Sequence, residues 1–184
     1  MIKFLLICLF GIAYSTQDKL EIDFDRNKII NYLNKYRFKH NAQNIILSDD
    51  LSSEAQNYSN YLVKNKIFED YETTHGQNIE WFITKEKNGT EAVMKSIDNW
   101  YDEKDFINIT LPLYYYGVRD FVHMAWKSTI EVGIGVSYYN EFGTIIFALF
   151  HHYGDYYTDI AKELEIIPSK CYYICGDQVK ETCE

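Results

Sequence analysis

From Thr144 to Phe150 the chain reads TIIFALF, an apolar run of strand length with no polar break after its first residue. A strand that buries only one face alternates apolar and polar residues, so an unbroken run predicts a central strand covered on both faces. Just upstream Val132, Ile134 and Val136 alternate, and Asn140 to Gly143 has the composition of a hairpin turn that would pair the two segments. Helices must then lie on both sides of the sheet. Ile29, Leu33 and Tyr36 recur at helical spacing, as do Leu51, Ala55, Tyr58 and Leu62, with Asp49 or Asp50 placed to cap the second helix. Ile79, Trp81 and Ile83 alternate as a strand, and Thr90 can cap a third helix that buries Val93, Ile97 and Trp100. Ile160, Leu164 and Ile167 would make one short helix before Pro168. The expected fold class is α/β: helices on two sides of a small, mainly antiparallel sheet.

At 184 residues the chain is one domain's worth of sequence. Its first fifteen residues stand apart from that domain. Lys3, the apolar run Phe4 to Ile12 and the small-x-small triplet Ala13-Tyr14-Ser15 read as a secretory signal peptide, followed by a domain over 16 to 167 and a cysteine-containing tail over 168 to 184. The run is too short to span a bilayer, and no other segment is long and apolar enough. The net charge of −9, without clustered Lys and Arg, disfavours nucleic acid and other polyanions as partners.

Cys8 leaves with the leader, and Cys171, Cys175 and Cys183 all lie in the tail. In an oxidising compartment two of these pair and one is left over, free or bridging to a second chain as a disulfide-linked dimer. Their spacing lacks a fourth ligand for structural zinc. Sequons begin at Asn57, Asn88 and Asn108, of which Asn88 and Asn108 fall in expected loops and Asn57 on a helix.

Several weak motifs stand in order along the body. FVHMAWKSTIEVGIG over 121 to 135 is a short helix ending in Trp-Lys, then a strand with Gly133 and Gly135. Asn34, Arg37 and His40 form N-x-x-R-x-x-H, LSDDLSSEAQNYSNYL follows, then HGQNIEW, WYDE and FALFHHYGD. In this order they resemble the CAP superfamily, the cysteine-rich secretory, antigen 5 and pathogenesis-related proteins also called SCP/TAPS, over roughly residues 24 to 156. The resemblance implies a three-layer α-β-α sandwich and a secreted protein of the venom-allergen-like, single-domain kind.

It also implies a cleft in which two histidines and two glutamates bind a divalent metal in some members. Here the first histidine would fall near Lys66 or Ile67 and is missing, the first glutamate is Gln77, the second is kept as Glu103, and the second histidine is Asp120. An amide keeps the hydrogen-bonding shape but lacks the charge a cation needs. Glu80 is set aside, since an odd offset along a strand puts it on the other face from Gln77. Two carboxylates and one imidazole, Glu103, Asp120 and His123, would make a substitute ligand group, with His75 as a further donor and a metal-dependent hydrolase as its consequence. His123 on an apolar helix is more often a packing residue, so zinc and other cofactors are not expected. No G-x-S-x-G elbow occurs, and no catalytic residue is assigned.

Leu111, Leu113, Tyr114, Tyr115 and Tyr116 lie where some members of the superfamily have an aromatic loop that takes part in sterol binding. They could line an apolar groove for a sterol or other lipid, or pack back on the core. The reading that results is a secreted, non-enzymatic protein that binds an extracellular protein or lipid, with a lipid carrier and a metal-dependent hydrolase as its rivals.

Overall fold

The apolar run is strand β4, Gly143–Phe150, in a computed structural model that describes residues 22–82, 88–107, 116–139, 143–151, 160–164, 172–175 and 178–181. It pairs antiparallel with β3, Glu131–Tyr139, on one side and with β2, Gly76–Phe82, on the other. A two-residue strand β1, Ile46–Leu47, adds to β3 in parallel, so the order is β1-β3-β4-β2. β4 is therefore internal, and both of its faces are covered. Ile145, Phe147 and Leu149 join Ile79, Ala55, Tyr58 and Leu62 in one apolar cluster beneath helix α2, Asp49–Asn65. Ile146, Ala148 and Phe150 join Val132, Ile134 and Val136 in a second cluster. That cluster lies under helices α1, Arg26–Lys39, α3, Gly89–Asp102, and α4, Arg119–Ala125. The three-layer sandwich follows directly from this two-sided burial.

Two helix starts differ from the sequence reading. α2 is capped by Ser48, whose Oγ accepts from Leu51 N at 3.5 Å, while Asp49 and Asp50 occupy the first turn, where their charge meets the positive end of the helix. α3 is capped by Asn88, whose Oδ1 accepts from Glu91 N at 3.3 Å; Thr90 Oγ1 instead accepts from Asp25 N at 2.8 Å. Both caps lie one or two residues upstream of the expected ones, because the chain enters each helix in extended conformation there. Asn88 and Asn57 are both exposed.

A short helix α5, Ile160–Glu163, is present where Ile160 and Leu164 were paired by spacing, and its described residues stop short of Ile167. The tail also carries structure that the sequence reading did not anticipate. β5, Tyr172–Cys175, and β6, Gln178–Glu181, pair antiparallel as a separate hairpin. Cys171, Cys183, Asn108, Leu111, Leu113, Tyr114, Tyr115 and the amino-terminal leader lie outside the described residues, and for Tyr116 and Cys175 only the backbone is described. Among the described residues no helix is long and apolar enough to cross a membrane.

Candidate functional site

Glu103 follows α3 and opens a single 3-10 turn, Glu103–Phe106. The first turn of α4 has no capping side chain of its own, since Val118 precedes it. Glu103 supplies the missing acceptor from a distance: its Oε2 accepts Asp120 N at 2.8 Å and Phe121 N at 3.1 Å. A carboxylate on the first free N–H groups of a helix satisfies them and meets the positive end of the helix dipole. The glutamate of the W-Y-x-E motif thus holds α4 in place.

Asp120 sits at that junction. Arg119 Nε approaches its Oδ1 at 3.3 Å, and Arg119 Nη1 reaches Asp70 at 3.1 Å. Asn78 links this helix to the sheet: its Nδ2 donates to the Asp120 carbonyl at 2.9 Å, and its Oδ1 lies 2.9 Å from His123 Nδ1. With the amide nitrogen committed as donor, Oδ1 is the acceptor, and the network assigns the imidazole proton to Nδ1. His123 is fully buried, and burial, assisted by the charge of Arg119, pushes its pKa down to about 3. It is a neutral packing residue that fastens α4 to β2.

Gln77 turns the other way. Its amide spans the backbone of Tyr71, accepting from Tyr71 N at 2.7 Å and donating to Tyr71 O at 2.9 Å. Its register partner is Leu149, on the α2 side of the sheet, whereas Asn78 and Glu80 are paired with Ala148 and Ile146 of the other side. The alternation used to separate Gln77 from Glu80 holds, and its consequence is that Glu80 is the residue facing α3. There Asn99 Nδ2 donates to Glu80 Oε1 at 2.9 Å, and the charge of Glu80 acts on both Glu103 and Asp120. Sequence reasoning passed over Glu80; its place on the face shared with Asn78 was the available signal. Lys66, at the expected first-histidine position, is instead the left-handed C-cap of α2. His75 lies beside His151, ring centroids 5.6 Å apart, at the end of the sheet where Gly76 meets Phe150.

A metal needs several anionic or imidazole donors turned to one point. Among the described residues no three His, Cys, Asp or Glu side chains gather in that way. The substitute group of Glu103, Asp120, His123 and His75 is therefore not assembled. Gln77, Glu103 and His123 each have a structural partner, and this donor set does not fit a bound divalent metal.

The site is instead a half-buried carboxyl pair, Glu103 and Asp120. Burial, then the neighbouring Glu103 charge, raises Asp120 to about 7 in spite of Arg119. Burial also raises Glu103, partly offset by the two N–H groups it accepts. Between about pH 4 and pH 7 the unfolded chain has lost the Asp120 proton while the folded chain keeps it. The folded state then binds more protons, so stability is full at the acidic end and falls as pH rises through 7. Asp120→Asn should flatten that fall and make the protein more stable at pH 8 by about 1 to 3 kcal/mol. Urea unfolding of both proteins at pH 4.5 and 8 measures it, and an undiminished slope in the variant would count against this account.

Of the aromatic loop, only its first residue is described with its side chain. Ile107 is buried in the cluster beneath α3 and α4, which anchors the start of that loop to the core.

Comparison with known proteins gives the same answer for sequence and for fold. The family model of the cysteine-rich secretory proteins, CAP, matches residues 30–153. The Golgi-associated plant pathogenesis-related protein 1 of Homo sapiens is 28% identical over 148 residues, which cover 78% of this chain and 93% of that protein. Among solved structures, the hookworm platelet inhibitor superposes with a TM-score of 0.57 at 17% identity, over 76% of this chain and 75% of that one. Venom allergen-like protein 4 of Schistosoma mansoni gives 0.57 at 15% identity, over 78% and 95%.

Proposed function

The chain belongs to the CAP family, and we propose that it is exported and acts outside the cell by binding a protein partner, with no metal-dependent reaction in its cleft. The observation that carries this reading is how the cleft's polar groups are used. Glu103 caps α4, Asn78 and His123 fasten α4 to the sheet, and Gln77 holds the backbone of Tyr71. These groups stiffen a surface-bearing scaffold and leave none poised as a nucleophile with an adjacent base. Venom allergen-like and platelet-inhibitor proteins share the fold, which supports a binding role. The human relative's name associates it with the Golgi, so export here rests on the chain's own Lys3, Phe4 to Ile12 and Ala13-Tyr14-Ser15.

Metal analysis of the exported, dialysed protein tests the cleft, and zinc well below one ion per chain is the expected result. Stoichiometric zinc that is lost in Glu103→Gln would overturn the reading. This variant keeps an acceptor oxygen for α4, so it separates loss of metal from loss of fold. Export is checked on the same sample, whose amino terminus should be Thr16.

A further inference from the structure

Two N-x-S/T triplets fall on described residues, and the fold treats them differently. Asn57-Tyr58-Ser59 lies in the middle of α2. Asn57 is exposed, but Tyr58 and Ser59 are buried, and Ser59 Oγ donates to Ile145 O of β4 at 3.3 Å. Asn88-Gly89-Thr90 instead straddles the start of α3. Asn88 is exposed and its backbone is extended, with φ −83° and ψ 96°.

Transfer of a glycan to asparagine needs the triplet extended, with the hydroxyl of its third residue brought beside the amide. At Asn57 that geometry requires α2 to unwind in its middle and Ser59 to come out from against the sheet. At Asn88 only the first turn of α3 has to be open, and the first N–H groups of a helix have no intrahelical partner to lose.

The side chain of Asn88 is also divided as a glycan requires. Its Oδ1 accepts from Glu91 N at 3.3 Å and caps α3. A glycan is carried on Nδ2 and leaves Oδ1 an acceptor, so sugar and cap coexist. The two residues that follow are closed off. A Cβ on Gly89 would stand 2.7 Å from Asp23 O and 2.7 Å from Ile22 Cγ2, and Thr90 Oγ1 accepts from Asp25 N at 2.8 Å. Segment 22–25 thus covers Gly89 and Thr90 in the folded protein while Asn88 stays outside, so modification has to precede that docking.

We propose that Asn88 carries an N-linked glycan and that Asn57 does not. In the transfer Asn88 Nδ2 bonds to the anomeric carbon of a lipid-pyrophosphate-linked oligosaccharide. The bond from that carbon to the pyrophosphate oxygen breaks, the lipid pyrophosphate leaves, and one Nδ2 proton passes to the transferase. The inference rests on the export reading, because the donor is met only by a chain that crosses the membrane.

The test translates the full chain, with its own leader, in the presence of endoplasmic-reticulum microsomes, and protection from added protease reports entry. Protected chains are treated with peptide N-glycosidase in heavy-oxygen water, which turns a glycosylated asparagine into labelled aspartate. An incubation without the glycosidase controls for spontaneous deamidation of Asn88-Gly89. Label at residue 88 and none at residue 57 is expected. Asn88→Asp keeps a capping oxygen but cannot take the sugar, so it should lose the mass of one glycan and remain cooperatively folded. Asn57→Gln should leave the mass of attached glycan unchanged. Protected chains without label at 88, with label at 57, or with an undiminished glycan mass in Asn88→Asp would overturn this inference and leave export standing. A chain that stays open to protease would overturn export and this inference with it.

Discussion

Arg37→Met should cost about 4 kcal/mol of folding stability or prevent folding altogether. Arg37 has no exposed surface, and its guanidinium serves four backbone carbonyls. Nε donates to Gln43 O at 3.0 Å, Nη1 to Met124 O at 2.7 Å and Trp126 O at 3.1 Å, and Nη2 to Thr129 O at 2.7 Å. Each carbonyl that loses its donor in a dry interior costs about 1 to 3 kcal/mol, and methionine returns only apolar packing. Burial lowers the Arg37 pKa to about 10, so the side chain is charged throughout the neutral range. Arg37→Lys should fall between the two proteins, because one ammonium cannot span carbonyls that a planar fork reaches from several directions. Chemical denaturation of the three proteins measures the series, and a methionine variant within 1 kcal/mol of the parent would show that water replaces the guanidinium.

The same bonds explain why this motif matters to the cleft. Met124 and Trp126 end α4, the helix that carries Asp120 and His123, and Gln43 belongs to the turn after α1. Asn34 locks that turn from the other side through Ile45, its Oδ1 accepting from Ile45 N at 2.8 Å and its Nδ2 donating to Ile45 O at 3.0 Å. His40 completes the set with its Nε2 at 3.2 Å from Tyr101 Oη on α3. N-x-x-R-x-x-H is therefore a clamp that binds α1 to α3 and α4. It positions the helix that carries Asp120 and His123.

How far the sequence could be read follows from these contacts. Periodicity reports burial, so the internal place of β4 and the two helical layers were legible in TIIFALF and in the spacing of Leu51, Ala55, Tyr58 and Leu62. The order of weak motifs was legible as a resemblance. What lay beyond reach was the use made of each polar group, because that is settled by residues distant in sequence. Glu103 reads as a possible ligand until its carboxylate is seen on the N–H groups of Asp120 and Phe121. His123 reads as a ligand candidate until Asn78, 45 positions away, accounts for its Nδ1. The half-exposed place of Trp81 was invisible for the same reason: it is unremarkable as a letter, and only the register of β2 against β4 places it beside Ile145. In the tail, a reading centred on cysteine pairing missed the strand pattern of Tyr172 to Glu181.

The second large effect is expected at Gly133 and Gly135. These glycines occupy the face of β3 toward α2, while Val132, Ile134 and Val136 fill the core on the other face. A Cβ at Gly135 would stand 2.3 Å from Gln56 N and 2.4 Å from Ala55 C, and one at Gly133 would stand 2.1 Å from Leu51 C. The obstacles are backbone atoms of a helix, which cannot rotate aside as a side chain tip can. α2 must lift off the sheet to admit even a methyl group. Lifting it would break the bonds that Gln56 makes across the gap, Oε1 accepting from Val136 N at 2.8 Å and Nε2 donating to Val136 O at 3.0 Å. It would also loosen Leu62 and Val63 over the apolar cluster beneath α2. Gly135→Ala should therefore cost about 3 kcal/mol or more, at the upper end of what overpacking a core imposes. Ile134→Val, on the opposite face of the same strand, should cost only about 1 kcal/mol. Denaturant midpoints of the two variants decide between a close helix approach and a general sensitivity of β3, and a Gly135→Ala loss no larger than that of Ile134→Val would reject the close approach.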